Sequence, residues 1–151
     1  MKRQQFISRF LTGILVFSAF SVSADTNESL PVPLKEAAAA YKSKGSGGFM
    51  SMLVKGSRLQ YTDPAALTQA SELFNAIEAS YGDYRGIEII ESISISHSIR
   101  IVYFVINYER GPLYGVADIY MTKSGEIVTN SNVNTSLEEI IPASLIAKLR
   151  K

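Results

Sequence analysis

Two carboxylates and one tyrosine are the residues whose types and placement suit acid–base chemistry. Glu91, Tyr103 and Asp118 lie in three successive runs that are rich in β-branched and aromatic residues. Two carboxylates held close together raise the pKa of one of them, and a tyrosine hydroxyl can donate a hydrogen bond to a developing oxyanion. One interpretation is therefore a small cavity-type lyase or isomerase with Glu91 and Asp118 as the acid–base pair.

The preferred interpretation of the same region is a non-enzymatic binding surface. Polar residues that alternate along an antiparallel strand usually mark its solvent-facing side. Tyrosine suits binding because it buries a large area with little rotamer loss and keeps a polar tip. We expect Asp118 to be a polar contact on a face that binds an unknown protein partner or small ligand, with a homodimer through the sheet as one arrangement. The predicted binding residues are Tyr103, Asn107, Tyr114, Asp118, Tyr120, Asn130 and Asn132.

The pairing of the second and third strands decides which side chains share this face, because a slip of one residue turns every side chain over. With Arg110-Gly111 as the hairpin tip, Tyr108 lies opposite Leu113, Phe104 opposite Ala117, and Tyr103 opposite Asp118. Large residues then face small ones on the side that packs against the helices, which favours close packing.

The third and fourth strands meet at "TKSGE". A three-residue loop at 123–125 with Gly125 in the left-handed conformation places Asn130 opposite Asp118 and Asn132 opposite Val116. A two-residue loop at 124–125 would turn both asparagines toward the helices and bury unpaired amides. The first register is favoured.

The register of the first strand has two alternatives. If residues 96–98 form the loop, Glu91 lies beside Tyr103 on the binding face. If only His97 and Ser98 turn, Glu91 faces the helices, which is unfavourable for a carboxylate. The first alternative is favoured.

Helices precede these strands. A helix is predicted from Pro33 over "PLKEAAAAYKSK", because proline suits the first helical position and alanine is the best helix former. The run "GSGG" (45–48) ends it, and "FMSMLVKGSRL" adds a short apolar segment. A longer helix starts after Asp63 and ends at Gly82. Its predicted buried stripe is Leu67, Ala70, Phe74, Ile77 and Tyr81.

The order of elements predicts an α+β domain. N-terminal helices are expected to pack on a curved four-stranded antiparallel meander, followed by a short C-terminal helix. Ser136 and Glu139 stand at the spacing of a capping box before that last segment. A single domain over 33–151 is therefore expected, after a flexible lead at 25–32.

The first 24 residues have the three parts of a secretory signal peptide. Lys2, Arg3 and Arg9 precede the apolar run "FLTGILVFSAF", and "VSA" offers a cleavage site after Ala24. A membrane anchor is the competing interpretation, but the 11 residues of this run are too few to span a bilayer. We expect a periplasmic or secreted protein with no membrane attachment after cleavage.

Composition limits the kinds of partner and cofactor that we expect. The segment after residue 24 holds 12 basic residues (15 minus the three in the signal) and all 14 acidic ones, a net charge of −2, which gives no case for nucleic-acid binding. Without cysteine, and with His97 alone between serines in a predicted turn, the usual zinc sites cannot form. No metal and no cofactor are expected.

Several short segments of the sequence resemble those of small exported bacterial domains of the nuclear-transport-factor-2-like, cystatin-like superfamily. They are "SYGDYRGIEII", "RIVYFVINYERGPLYG", "DIYMTKSGEIV" and "IIPASLI", within residues 33–146. The chain departs from the pattern at Glu126-Ile127, where an aromatic residue often opens the last strand. The resemblance implies a curved sheet wrapped on helices as a cone that can hold a pocket. It carries over no catalytic residue, since fold does not imply function.

Overall fold

A computed structural model describes residues 30–62 and 64–150, without the side chain of Thr62. The predicted signal peptide and residues 25–29 of the lead lie outside this range. The described elements are α1 (Val32–Leu53), α2 (Leu59–Thr62), α3 (Pro64–Tyr81), β1 (Tyr84–Ser94), β2 (Ile99–Tyr108), β3 (Pro112–Thr122), β4 (Gly125–Asn134), a 3₁₀ turn (Leu137–Glu139) and α4 (Ala143–Leu149). None of the described helices is long and apolar enough to cross a membrane.

Helix α1 consists of two helical segments that meet at Gly45. The backbone of Gly45 has φ 65° and ψ −158°, a conformation that only glycine adopts readily. The prediction of a stop at "GSGG" is confirmed at this one residue, and a second helical segment follows at once. Gly48 in that segment lies against the preceding turn, where a Cβ would be 2.6 Å from the Cβ of Lys44. Glycine is therefore needed at two positions for different reasons.

Helix α3 ends where the sequence predicts. Gly82 has φ 82°, and its N–H donates to the carbonyl of Glu78 at 2.8 Å, which gives the left-handed helix end typical of glycine. The predicted stripe is only partly buried, because Phe74 alone is fully enclosed among its five residues. The remaining four are half-buried, and this incomplete cover leaves room beside α3.

The strands form one antiparallel sheet in the order β1-β2-β3-β4. The α+β class, the four-stranded meander and the short C-terminal helix are thus confirmed. One face of the sheet packs on α1 and α3 through a core that includes Leu34, Phe49, Phe104 and Ile106. Because β1 and β4 are both edge strands, the sheet is open at both sides.

The predicted register of β2 and β3 is wrong by two residues. Phe104 lies opposite Gly115, not opposite Ala117, and Ile106 lies opposite Leu113. The reason is steric: the ring of Phe104 occupies the space where a side chain at position 115 would stand. The hairpin closes with the N–H of Tyr108 donating to the carbonyl of Gly111 at 3.1 Å. A shift of two residues leaves every side chain on the same face of the sheet. The predicted face of each residue is therefore correct, although its partner on the neighbouring strand is not.

The predicted pairs of β3 with β4 are confirmed, but the loop prediction is wrong. Asp118 lies opposite Asn130 and Val116 opposite Asn132. The turn has two residues between Thr122 and Gly125, and a β-bulge beyond Val128 restores the predicted register. The turn, which is one residue shorter than predicted, and the β-bulge therefore compensate for each other.

The favoured register of β1 is confirmed. Glu91 lies opposite Tyr103, and the N–H of Ile95 donates to the carbonyl of Ile99 at 2.9 Å across the 96–98 loop. A bulge between Ile89 and Glu91 then shifts the rest of the strand. Glu91 consequently lies on the face that points away from the main core.

The C-terminal segment covers part of that second face. Ile140, Ile141 and Leu145 are buried together with Tyr103 in a small second core. The predicted capping box is wrong, because the Ser136 hydroxyl donates to the Glu138 carboxylate at 3.1 Å and makes no capping bond to the backbone. The sheet is thus packed on both faces, with α1 and α3 on one side and the C-terminal segment on the other.

Candidate functional site

The predicted binding face is divided by the C-terminal segment. Tyr103 is only 8% exposed and belongs to the second core with Ile140, Ile141 and Leu145. Tyr114 is half-buried against the same cluster. These two tyrosines therefore stabilise the packing of the C-terminal segment, and the seven residues do not form one open surface.

The other five predicted residues lie around this covered zone. Asn107 is half-buried and its amide donates to the Glu88 carboxylate at 2.7 Å. Asp118 is half-buried, whereas Tyr120, Asn130 and Asn132 are exposed. Their role in binding stays a prediction.

Asp118 makes a local contact across two strands. The amide of Asn130 donates to the Asp118 carboxylate at 3.2 Å. On β2 the residue opposite Asp118 is the apolar Ile101. Its partners on the two neighbouring strands are therefore a neutral amide and an aliphatic side chain.

Glu91 and Asp118 share a face but are not neighbours. They lie on β1 and β3 with β2 between them, which separates their backbones by about 10 Å. Lys148 of α4 binds the Glu91 carboxylate at 3.2 Å, and Tyr103 is buried beneath the C-terminal segment. The geometry does not bring an acid–base pair together at a shared cavity.

A cavity of about 400 Å³ lies on the opposite face of the sheet, between α1, α3 and the edge strand β4. This volume falls within the range that small-molecule pockets occupy. The described lining is apolar except for Ser131 and Asn132 on β4. Asn132 pairs with Val116 of the second core, so its side chain lies on the other face of the sheet. The lining comprises Met50, Leu53, Val54, Leu59, Ala66, Leu67, Ala70, Leu73, Phe74, Ser131, Asn132 and Val133.

Three elements hold this cavity open. The helical segment after Gly45 supplies Met50 and Leu53 from one side, and α3 supplies Leu67 and Phe74 from another. Strand β4, an edge strand of the sheet, supplies Ser131 to Val133 from the third side. Leu73 remains 47% exposed at the cavity, which is unusual for a large aliphatic side chain. An uncovered apolar surface next to a hollow is typical of a ligand site.

A second feature is a cluster of tyrosines at the other end of the helical layer. The Tyr41 hydroxyl donates to the Glu78 carboxylate at 3.0 Å. Because its only hydrogen is used there, Tyr41 accepts from Tyr108 across 3.2 Å. The rings of Tyr41 and Tyr84 stack with centroids 4.3 Å apart.

Burial controls the ionisation of this cluster. Burial raises the pKa of Tyr108 from 10.0 to about 12. Burial, together with the hydrogen bond that the Tyr41 hydroxyl donates to the Glu78 carboxylate, also raises the pKa of Tyr41. Burial also raises the pKa of Tyr84, whose hydroxyl has no hydrogen-bond partner among the described residues. The raised pKa values keep the three hydroxyls neutral at physiological pH, and the hydrogen bonds of Tyr41 connect α1 to α3 and to β2.

The described residues contain no group of three histidine, cysteine, aspartate or glutamate side chains able to hold a metal ion. His97 lies exposed in the loop between β1 and β2, where the sequence places it. The expectation that the protein needs no metal stays a prediction.

Comparisons with known proteins add little on function. No protein-family model matches the chain, and no curated protein matches it. One similar solved structure is a domain of unknown function with a cystatin-like fold from Nostoc punctiforme. It has 9% identity and a TM-score of 0.46, and the match covers 77% of this chain and 91% of that one.

Another similar structure is the intermembrane space region of the chloroplast protein ARC6. It has 12% identity and a TM-score of 0.37, with 68% of this chain and 88% of that chain covered. At TM-scores this low, neither similarity establishes a family or a function for this chain. The resemblance to the nuclear-transport-factor-2-like superfamily stays a prediction.

Sequence reasoning missed the apolar cavity. The available signal was the stripe of α3, since Leu67, Ala70 and Phe74 do all turn toward one region of the fold. The pattern predicted full burial of that stripe, but no periodicity reveals that a space remains between α3 and β4.

Proposed function

We propose that the protein is an exported, non-enzymatic binding module that holds a small hydrophobic ligand between α1, α3 and β4. The observation that carries this proposal is the cavity of about 400 Å³, whose lining is apolar apart from Ser131 and Asn132. Export rests on the signal-peptide pattern of residues 1–24.

The chemistry of the cavity favours binding over catalysis. None of its described lining residues is a titratable acid or base, so proton transfer to a bound molecule has no donor or acceptor there. Removal of apolar ligand surface from water provides the driving force, about 25 cal/mol for each Å² buried.

The proposal is tested by direct binding of a hydrocarbon probe. Diphenylhexatriene, which has no charge and no hydrogen-bonding group, should bind one protein molecule saturably and become fluorescent. The protein is purified from the periplasm of cells that express the full 151-residue chain. Absence of saturable binding would overturn the proposal.

Two matched substitutions on α3 locate the site. Ala70 lines the cavity, whereas Ala76 is exposed on the same helix and does not line it. Ala70→Phe should fill the cavity and weaken probe binding at least tenfold, while Ala76→Phe should leave the affinity unchanged. Equal affinities of the two variants would place the probe elsewhere and reject the cavity as the binding site.

A further inference from the structure

We infer that the natural ligand is an uncharged single-chain amphiphile, whose aliphatic chain fills the cavity and whose neutral head forms a hydrogen bond with Ser131. This inference rests on the proposed function and specifies the ligand class. It follows from the chemistry of the lining, from the position of Ser131 and from a second hollow beside the cavity.

The first observation is the absence of charge. Among the described residues that line the cavity, none is aspartate, glutamate, lysine, arginine or histidine. An ionised carboxylate or ammonium group inside it would lose its hydration without gaining a counter-charge, which is a large penalty. The lining therefore discriminates against fatty acids and alkylamines in their ionised forms.

The second observation is the position of Ser131. It pairs with Ala117, a residue of the main core, so its side chain lies on the face of the sheet that packs against the helices. Its hydroxyl forms no hydrogen bond with another described residue, although the residue is half-buried at the cavity. A hydroxyl has one donor and two acceptor positions, so an alcohol, amide or ester head would fit it equally well.

The third observation concerns the shape of the space. A smaller hollow of about 190 Å³ shares Met50, Val54 and Leu67 with the cavity, and its other described lining residues include Gln60 and Ser71. No described residue of this second lining is charged either. The Met50 side chain, which lines both spaces, adjusts readily to an irregular occupant, and this suits a flexible chain better than a rigid ring.

The experiment compares ligands that differ only in their head. Decanol, decanoate and decylammonium are titrated at pH 7.5 against protein loaded with diphenylhexatriene, and displacement gives each affinity. Decanol is expected to bind at least tenfold more tightly than either ion. Equal or tighter binding of decanoate or decylammonium would overturn the inference while the probe itself still bound, which separates this failure from that of the proposed function.

A single substitution tests the hydrogen bond to the head. Ser131→Ala should lower the affinity for decanol about twofold to tenfold, the range expected for the loss of one neutral hydrogen bond. The affinity for diphenylhexatriene should not change, because this probe cannot form that bond. Equal losses for both molecules, or no loss for decanol, would reject Ser131 as the group that holds the head.

Discussion

The ring of Phe104 on β2 occupies the space above Gly115 on β3. A Cβ built at position 115 would lie 2.2 Å from Cζ of that ring, well inside van der Waals contact. The two residues are directly paired, and Phe104 is fully buried in the main core. This contact sets the register of the central hairpin, because an alanine or a larger residue opposite Phe104 would displace the ring.

Gly115→Ala should therefore destabilise the fold by about 1–3 kcal/mol, the usual cost of overpacking a core. Urea unfolding followed by circular dichroism gives the change in the free energy of unfolding. The double variant Phe104→Leu/Gly115→Ala provides the control, since a smaller side chain relieves the clash. If the two substitutions have additive effects, the contact does not determine the register.

Two neighbouring glycines of α1 should respond in opposite ways to alanine. A Cβ at Gly48 would lie 2.6 Å from the Cβ of Lys44 and 2.9 Å from the carbonyl oxygen of Ala40. At Gly47 nothing lies within 4 Å of the added atom. Gly48→Ala should lower the midpoint of thermal unfolding, whereas Gly47→Ala should leave it unchanged or raise it, because alanine is favoured in helices by about 1 kcal/mol. Equal midpoints for the two variants would contradict this packing.

The C-terminal segment should contribute substantially to stability through Ile141. This side chain is fully buried against the sheet, so Ile141→Ala should cost about 2–5 kcal/mol. Leu149→Ala on α4 is the matched control, because Leu149 is exposed and its loss should change the free energy of unfolding by less than about 0.5 kcal/mol. Similar losses for both variants would show that the segment is not packed as described.

The tyrosine cluster predicts a loss of stability in alkaline solution. The pKa of Tyr108 is 10.0 in the unfolded chain and about 12 in the folded protein. The unfolded state therefore releases its proton first, and the free energy of unfolding should fall as the pH rises from about 10 to 12. Tyr108→Phe should reduce the slope over this interval in urea unfolding measured at each pH. An unchanged slope would mean that Tyr108 ionises equally in both states.

Local patterns were sufficient to predict the elements and most faces of the sheet. The end of α3 at Gly82 and the 96–98 loop depend on turn chemistry and on alternation within a few residues. Such signals are short-range, so a single sequence contains them.

The errors arose where distant residues decide the outcome. The partner of Phe104 depends on the shape of its ring against Gly115, which hydrophobic alternation does not encode. Likewise, Tyr103 has the alternation of a solvent-facing residue, but Ile140 and Ile141 return from the end of the chain to cover it. Nothing in the local pattern of β2 distinguishes a face exposed to water from one covered by a later segment.

The break at Gly45 places two parts of α1 in different surroundings. The segment before it carries Tyr41, which is fixed by Glu78 and Tyr108, whereas the segment after it carries Met50 and Leu53 of the cavity. The two parts remain in contact, because the rings of Tyr41 and Phe49 have centroids 5.7 Å apart. A side chain at position 45 would strain the backbone there, so this one substitution would disturb the tyrosine cluster and the cavity wall together, although residue 45 belongs to neither.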